Sequence, residues 1–320
     1  MNFASSITLD LVFLGTPDIA VPSLEALVRA GHRIKLVVTQ PDRPAGRGRK
    51  LTRCPVALAA DSLSLPVLQP ERVGQAAQAI ADAQADALAV LAFSQILPAP
   101  VLAAGRLGAI NVHTSLLPAL RGAAPISRAV MQGLTSTGAS AIFMDIGMDT
   151  GDVILQEATE IGPQETTGQL TNRLAVLGSK LLLATLEALA RGEAPRSPQD
   201  HEQATYAPRL SKAEGLIDWS LPAWELDWLV RGCDPWPGAY TLLGGQPLKL
   251  FAPTLVLPDD SAVEPGTWLP ARPGFEEWLL VACGQGVLGI GQAQVAGKKR
   301  LAARDFARGL ATGPGRRLGA

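Results

Sequence analysis

Residues 9–40 have the sequence LDLVFLGTPDIAVPSLEALVRAGHRIKLVVTQ, in which two short apolar runs lie on either side of an amphipathic segment. The runs 9–15 and 34–40 have the length of buried strands, and the segment 21–31 has a helical period and ends at a glycine. Strands that alternate with helices are typical of a parallel sheet with helices on its faces. This stretch therefore predicts an α/β fold.

The alternation continues through the first 190 residues. We expect a doubly wound, Rossmann-like and mostly parallel sheet. Because ligands of such sheets bind beyond the carboxyl ends of the strands, the end of the strand at 108–113 is a candidate site. Further strands are predicted at 65–69, 86–93, 108–113, 139–145 and 151–161, and further helices at 55–63 and 125–133 and along a stripe of leucines from Leu170 to Leu181.

The pattern changes after residue 192. Residues 193–209 are polar and rich in proline, which indicates a linker. A helix predicted at 223–233 is followed by short apolar runs split by glycine and proline, the pattern of a small antiparallel, OB-like β-barrel. We therefore expect domains at 1–192 and 210–320.

Composition limits the class of protein. The 320 residues are 47% hydrophobic and 18% charged, which suits a protein with a sizeable core, and a net charge of −1 identifies no partner. The three cysteines, Cys54, Cys233 and Cys283, lack metal-ligand spacing and predict reduced thiols and no metal site. We expect neither a signal peptide nor a membrane span, and a cytoplasmic location.

The strand at 108–113 ends in Asn-Val-His. Asn111 and His113 are two residues apart, so on a strand their side chains point to the same face. An amide can donate to a carbonyl oxygen that gains negative charge, and an imidazole can move a proton or supply a positive charge. The alternative is that both polar side chains cap the following loop.

A cluster of aspartates follows the next predicted strand. The segment MDIGMDTGDV, residues 144–153, places Asp145, Asp149 and Asp152 in a glycine-rich turn. A carboxylate beside His113 would fix the orientation of its ring. The spacing does not show which aspartate points inward, and an ordinary Asx-rich turn is the alternative.

Two clusters of basic residues suit RNA phosphates. The segment 40–53 has proline and glycine residues that argue against a regular helix or strand, and a solvated charged loop is the alternative reading of it. The clusters are Arg43, Arg47, Arg49, Lys50 and Arg53 with Asp42 as their acid, and Lys298, Lys299, Arg300, Arg304, Arg308, Arg316 and Arg317 with Asp305.

Several sequence motifs follow one another along the chain. Together, in their order and spacing, they resemble the family of methionyl-tRNA formyltransferases over nearly the whole chain. The Asn-x-His…Asp pattern alone is shared by enzymes that use 10-formyltetrahydrofolate, whereas the basic loop and the C-terminal motifs narrow the resemblance to the tRNA enzymes. The motifs are FLGTPD (13–18), TQPDRPAGRGRKL (39–51), NVHTSLLPALRGAAPI (111–126), MDIGMDTGDV (144–153), YAPRLSKAEGLIDW (206–219) and RGCDPWPGAY (231–240).

The resemblance implies a cytoplasmic, monomeric enzyme that formylates initiator methionyl-tRNA with 10-formyltetrahydrofolate as co-substrate and binds the tRNA acceptor stem. It implies a catalytic domain at 1–192 and a tRNA-binding domain at 210–320. Phe93 and Ser94 stand where the family commonly has tyrosine and glycine. The implied site residues are Asn111, His113 and Asp149 for catalysis; Phe93, Ser94, Ile96, Leu97, Ser115, Leu116, Leu117 and Pro118 for folate; and Arg43, Arg47, Arg49 and Lys50 for tRNA.

Three other functions remain compatible with parts of this pattern. Formyl transfer to a small amine, such as a glycinamide ribotide or a sugar amine, needs the same three catalytic groups, as does hydrolysis of the formyl folate. Neither reaction needs the basic loop or the C-terminal barrel. An RNA-binding protein with an inactive site is a third possibility, against which the intact Asn111, His113 and Asp149 argue.

Overall fold

The computed structural model describes residues 7–45, 50–259, 263–309 and 313–319. These residues form two compact units. Unit 1 holds the described residues up to Pro125 together with Thr137–Thr159 and Thr171–Ala207, and unit 2 holds Ile126–Ser136, Glu160–Leu170 and the described residues from Pro208 onward. The segment expected to be a linker therefore belongs to unit 1 as far as Ala207.

The first part of the chain alternates strands and helices as the sequence predicts. Short 3₁₀ turns at Asp18–Ala20 and Val73–Ala76 precede two of the helices. In chain order the elements are β1 (Asp10–Gly15), α1 (Val21–Arg29), β2 (Arg33–Val38), β3 (Arg43–Ala45), β4 (Lys50–Thr52), α2 (Pro55–Ser62), β5 (Val67–Leu68), α3 (Ala77–Asp82), β6 (Ala87–Leu91), α4 (Ala99–Leu102), β7 (Ala109–His113), α5 (Pro125–Met131), β8 (Ser136–Phe143), β9 (Val153–Glu160) and α6 (Thr167–Arg191).

Seven of these strands form one sheet in the order β5-β2-β1-β6-β7-β8-β9. The neighbours from β5 to β7 pair in parallel, whereas β7 and β8 pair antiparallel. The prediction of a mostly parallel, doubly wound sheet is confirmed. The strand order reverses between β1 and β6, so β7 lies one strand away from the switch point.

The apolar run 11–14 of strand β1 is explained by its burial on both faces of the sheet. Leu11 and Phe13 point into one hydrophobic cluster, and Val12 and Leu14 point into another on the opposite side of the sheet. All four side chains are fully buried. Because both faces are covered, no polar residue alternates with the apolar ones, as is usual for parallel sheets.

Unit 2 carries an antiparallel sheet in the order β10-β11-β13-β12, with β14 paired to β13. The predicted antiparallel β domain is confirmed. Two 3₁₀ turns, at His201–Gln203 and Ala213–Gly215, precede these elements in the chain. The elements are α7 (Ala223–Gly232), β10 (Ala239–Leu243), β11 (Gln246–Leu257), β12 (Leu279–Ala282), β13 (Val287–Val295), β14 (Leu301–Ala302) and α8 (Ala303–Arg308).

The core of unit 2 contains a buried ion pair. Arg231 on α7 donates two hydrogen bonds, of 2.9 and 2.8 Å, to one carboxylate oxygen of Asp227, and both residues are buried. Thr254 on β11 donates to the other oxygen of Asp227. Each oxygen of this buried carboxylate therefore has a partner, which is the condition under which a buried charge is tolerated.

All three cysteines are free thiols. Burial raises the pKa of Cys233 and of Cys283 to about 12, so both remain protonated at neutral pH.

No helix in the described part of the chain has the length and the apolar character that crossing a bilayer requires.

Candidate active site

Strand β7 positions two of the predicted catalytic side chains. Ile110 and Val112 point into the core on one side of the sheet, so Asn111 and His113 point to the other side. Asn111 is partly buried, and His113 is 6% exposed. The amide and the imidazole therefore face the same side of the sheet at the carboxyl end of β7.

Asp149 completes the group. Its Oδ1 lies 3.4 Å from Asn111 Nδ2 and 3.5 Å from His113 Nδ1, and its Oδ2 accepts a 2.9 Å hydrogen bond from the backbone N–H of Gly122. The second ring nitrogen of His113, Nε2, is 2.9 Å from the carbonyl oxygen of Leu120. Both ring nitrogens thus face acceptors, and the ring can donate to both only when it carries two protons.

The other two aspartates of the turn have different partners. Asp145 Oδ1 accepts hydrogen bonds from Gly147 N and Thr150 Oγ1, at 2.9 and 2.7 Å, and so closes the turn. Asp152 lies 3.7 Å from Arg196 on a more exposed surface. Of the three, Asp149 is the one that approaches the amide and the imidazole.

The backbone at Asp149 is unusual, because φ is +56° in the left-handed region that non-glycine residues rarely adopt. Such a conformation persists when surrounding contacts determine it. Gln199 supplies two of these contacts, since its Nε2 donates to the carbonyl oxygens of Asp149 and Gly151 at 2.9 and 2.7 Å.

Among the described residues, no three His, Cys, Asp or Glu side chains form a group that could hold a metal ion.

The same turn leaves no room for a side chain at Gly151. A Cβ on Gly151 would lie 1.7 Å from the carbonyl oxygen of Phe143, so Gly151→Ala must displace backbone two residues from Asp149. A shift of about 1 Å in a catalytic group can cost about 100-fold in rate, and we expect a loss of kcat of that order. Steady-state kinetics would measure it.

Gly74→Ala is the matched control for this change. A Cβ there would meet only Pro98 Cγ, at 3.8 Å, so kcat should stay at the wild-type value. A Gly151→Ala enzyme as active as the Gly74→Ala enzyme would contradict the tight packing of this turn.

The predicted folate residues lie in two segments and in different environments. Ser94 is exposed with φ of +63°, which explains why a glycine suits this position, and Ile96 is 73% exposed. Phe93 and Leu97 belong to the hydrophobic cluster under the sheet. In the second segment Ser115 and Leu117 are buried, and Leu116 and Pro118 are partly buried.

The second segment is held by hydrogen bonds to β8 and β9 and by one from its own serine. Ser140 Oγ donates to the carbonyl oxygen of Ser115 at 2.6 Å and accepts from Leu117 N at 3.0 Å. Gln156 Nε2 donates to the carbonyl oxygen of Leu117 at 2.9 Å, and Ser115 Oγ donates to that of Ala119 at 2.6 Å. The hydroxyl of Ser115 is thereby used inside the loop.

The basic loop differs from its prediction in one respect. Prolines and glycines argued against regular structure, yet Arg43–Ala45 and Lys50–Thr52 form the antiparallel pair β3–β4. Pro44 has no N–H to donate, which would break the hydrogen-bond ladder of a central strand. Both strands of a two-stranded ribbon are edge strands, where a proline is tolerated. Arg43 is exposed on this ribbon. Arg47 and Arg49 lie outside the described residues.

Several basic residues have acidic partners, and those of the C-terminal cluster are distant in sequence. Arg53 pairs with Asp61 at 2.5 Å and with Asp42 at 3.7 Å. In the C-terminal cluster, three arginines are paired in the same way, so part of that positive charge is neutralised. The three pairs are Arg300 with Asp234, Arg304 with Glu277, and Arg317 with Glu264.

The sequence reasoning did not identify Arg121 or Gln199 as residues of this site. Gln199 lies in the polar segment read as a linker, where nothing in the local pattern indicates a buried contact. Arg121 lies within the NVHTSLLPALRGAAPI motif, and its position there was the only available signal. Arg121 and Gln199 are both buried.

Comparisons with known proteins find similarity along both parts of the chain. Residues 9–186 match the formyl transferase family, and residues 209–311 match the formyl transferase C-terminal domain. A methionyl-tRNA formyltransferase of Solibacter usitatus is 47% identical over 97% of this chain and 98% of that protein. One of Desulfotalea psychrophila is 46% identical over 96% of this chain and 94% of that protein.

A solved structure shares the fold at much lower identity. The N-formyltransferase from Helicobacter canadensis, in complex with folinic acid and dTDP-3-aminofucose, is 18% identical with a TM-score of 0.64. The alignment covers 89% of this chain and 98% of that one. At this identity the likeness concerns the fold alone.

Proposed function

Because this chain belongs to the formyl transferase family, we propose that it transfers a formyl group from 10-formyltetrahydrofolate to the amino group of initiator methionyl-tRNA. The product, N-formylmethionyl-tRNA, serves translation initiation. The observation that carries the proposal is the approach of Asn111, His113 and Asp149 to one another at the end of β7. Similarity over nearly the full length to methionyl-tRNA formyltransferases supports the tRNA substrate.

The three side chains have distinct roles in this proposal. The folate supplies the formyl group, whose carbonyl oxygen gains negative charge when the amine adds to its carbon. The amide of Asn111 has two N–H donors; one points at Asp149, and the other is available for that oxygen. His113, held between Asp149 and the carbonyl of Leu120, stabilises the charge on that oxygen. The adduct collapses when the bond between the formyl carbon and the folate nitrogen breaks, and His113 helps to move the proton lost by the amine to that leaving nitrogen.

We assign the folate to the surface formed by 93–97 and 115–118. The exposed Ser94 and Ile96 and the partly buried Leu116 and Pro118 are available for contact, while Phe93, Leu97, Ser115 and Leu117 support the two segments from below.

The substrate class is tested by parallel assays. Formyl transfer to methionyl-tRNA, to free methionine and to small amines is measured with one donor, together with release of formate. We expect methionyl-tRNA to be used with by far the highest kcat/KM. Comparable turnover of free methionine or of a small amine would overturn the tRNA assignment, and formate release without acceptor would favour hydrolysis.

We assign the tRNA contacts to the basic loop and to the C-terminal domain, residues 210–320. Arg43 is exposed, and it shares its segment with Arg47, Arg49 and Lys50. Cations on such a loop attract the phosphates of an acceptor stem and its unpaired end. The three ion pairs of the C-terminal cluster leave its other basic residues as the better candidates on that domain.

Salt dependence should separate the two substrates. The KM for methionyl-tRNA should rise steeply with salt, because cations are released from the RNA, whereas the KM for the folate should change little. Arg43→Ala should reduce the slope of log KM against log salt by roughly 1. The measurement is a kinetic titration at several salt concentrations.

Arg29→Ala is the matched control for that titration. Arg29 is 75% exposed, pairs with Glu25 at 3.9 Å and lies outside the basic loop, so its removal should leave the slope unchanged. Equal salt slopes for tRNA and folate would contradict this division of the binding surface.

The location and the assembly follow from the same proposal. We place the enzyme in the cytoplasm, where charged tRNA is used for initiation. Since the catalytic groups all come from one chain, we propose that the monomer is active.

A further inference from the structure

The segment 197–207, which we name the strap, is hydrogen-bonded to both loops of the site. At its start, Ser197 and Val153 exchange backbone hydrogen bonds of 2.9 and 3.0 Å. Near its end, Arg121 N donates to the carbonyl oxygen of Thr205 at 2.8 Å. The strap therefore joins the turn that carries Asp149 to the loop that follows β7.

Gln199 is a side chain of the strap that contacts both loops. It is 8% exposed, and each end of its carboxamide is used. Its Nε2 donates to the backbone of the Asp149 turn, while its Oε1 accepts from Arg121 Nη2 at 2.7 Å and from Arg121 Nε at 3.2 Å. The carboxamide thus bridges Arg121 and the Asp149 turn.

Arg121 is an unusual partner, because its guanidinium is buried without a carboxylate. It is 2% exposed, and besides Gln199 it lies 3.1 Å from His201 Nδ1. Within the described residues no acid lies within ion-pair distance of it. Arginine stays charged at any physiological pH, so the charge must act on neutral dipoles nearby.

The direction of that action follows from hydrogen-bond cooperativity. An amide oxygen that accepts from a cation becomes more polarised, and the N–H groups of the same amide become stronger donors. The two Gln199 N–H groups are those that bond the carbonyls of Asp149 and Gly151. Arg121 thereby strengthens the contacts that hold the left-handed backbone at Asp149.

We propose that Gln199, polarised by Arg121, is a positioning residue that sets the place of the Asp149 carboxylate against Asn111 and His113. It acts on the reaction only through Asp149. The proposal rests on the function proposed above, in which Asp149 orients His113.

The test is a double-mutant cycle between Gln199→Glu and Asp149→Asn in the full chain. Gln199→Glu keeps an oxygen for Arg121 but places a carboxylate oxygen against two carbonyls in place of the N–H donors. We expect kcat for formyl transfer to fall about 10- to 100-fold, because Asp149 is displaced, with both KM values within about twofold. In the Asp149→Asn background the same change should alter kcat less than about threefold.

Other outcomes decide against the proposal. A kcat for Gln199→Glu near the wild-type value, or the full loss repeated in the Asp149→Asn background, would overturn it. A wild-type kcat for Asp149→Asn alone would instead remove Asp149 from the mechanism, which identifies a failure of the proposed function.

Two further arms keep the test decisive. Thermal melting of each variant separates loss of folding from loss of rate, and Gln199→Asn replaces Gln199→Glu in the cycle should the latter fail to fold. Gln169→Glu is the matched control, since Gln169 is an exposed residue that accepts from the Thr166 N–H and has no role in the site. It should leave kcat within about twofold of wild type.

Discussion

Asn111→Ala should lower kcat about 100- to 1,000-fold, which corresponds to about 2.7–4 kcal/mol of barrier. The amide is a donor fixed in place by Asp149 at 3.4 Å and aimed at the same side of the sheet as His113. A donor that is already oriented stabilises developing charge without a cost of reorganisation, so its removal falls on the transition state. Single-turnover kinetics with saturating methionyl-tRNA would measure the effect on the chemical step.

The fold should survive this substitution. Asn111 is partly buried, and alanine there removes a long side-chain hydrogen bond, the 3.4 Å contact with Asp149 Oδ1. Asn172→Ala is the matched control, because Asn172 is exposed on α6 and should have no effect on kcat. An Asn111→Ala enzyme within threefold of the Asn172→Ala enzyme would exclude the amide from the mechanism.

Asp227→Ala should destabilise unit 2 by about 3–5 kcal/mol. The change leaves the buried guanidinium of Arg231 without its carboxylate and the hydroxyl of Thr254 without its acceptor. The remaining hydrogen bond of Arg231, to the carbonyl oxygen of Glu165 at 3.1 Å, does not neutralise the charge. Denaturant unfolding followed by tryptophan fluorescence would measure the loss, because Trp219 is buried in the same core.

The control for this prediction is another ion pair between residues four apart on a helix. Glu25 and Arg29 on α1 lie 3.9 Å apart with exposed side chains, and such surface pairs contribute about 0.3–0.5 kcal/mol. Glu25→Ala should therefore change the unfolding free energy very little. A similar small change for Asp227→Ala would show that the buried pair is not a major source of stability.

The sequence was informative wherever the physical signal is local. Apolar run length and helical period predicted the seven strands of the larger sheet and most of the longer helices, and strand alternation predicted that Asn111 and His113 share a face. The family resemblance, rather than spacing, selected Asp149. Spacing could not do so, because the choice among three aspartates depends on a left-handed backbone that only the folded turn reveals.

Long-range hydrogen bonds account for what the sequence did not predict. The strap has the composition of a linker, yet its side chains and backbone are bonded to residues about 45 to 85 positions away. The ribbon β3–β4 was missed because its prolines were taken to exclude any strand. Proline excludes only a strand whose N–H must pair with a neighbouring strand. The C-terminal arginines were counted against local acids alone, and their partners lie elsewhere in the chain.

The strap also decides where this chain can be divided and recombined with a relative. A fragment that ends with α6 would keep every strand of the seven-stranded sheet but would lack Gln199. Arg121 would lose its hydrogen bonds to Gln199, and the turn after β8 would lose the two bonds that Gln199 donates to it. The last segment of unit 1 ends at Ala207, so a fragment meant to keep the strap must extend at least that far, past a segment whose composition suggests a linker. A deletion in this segment, unlike one in an ordinary linker, would remove the hydrogen bonds of Gln199 to the Asp149 turn and to Arg121.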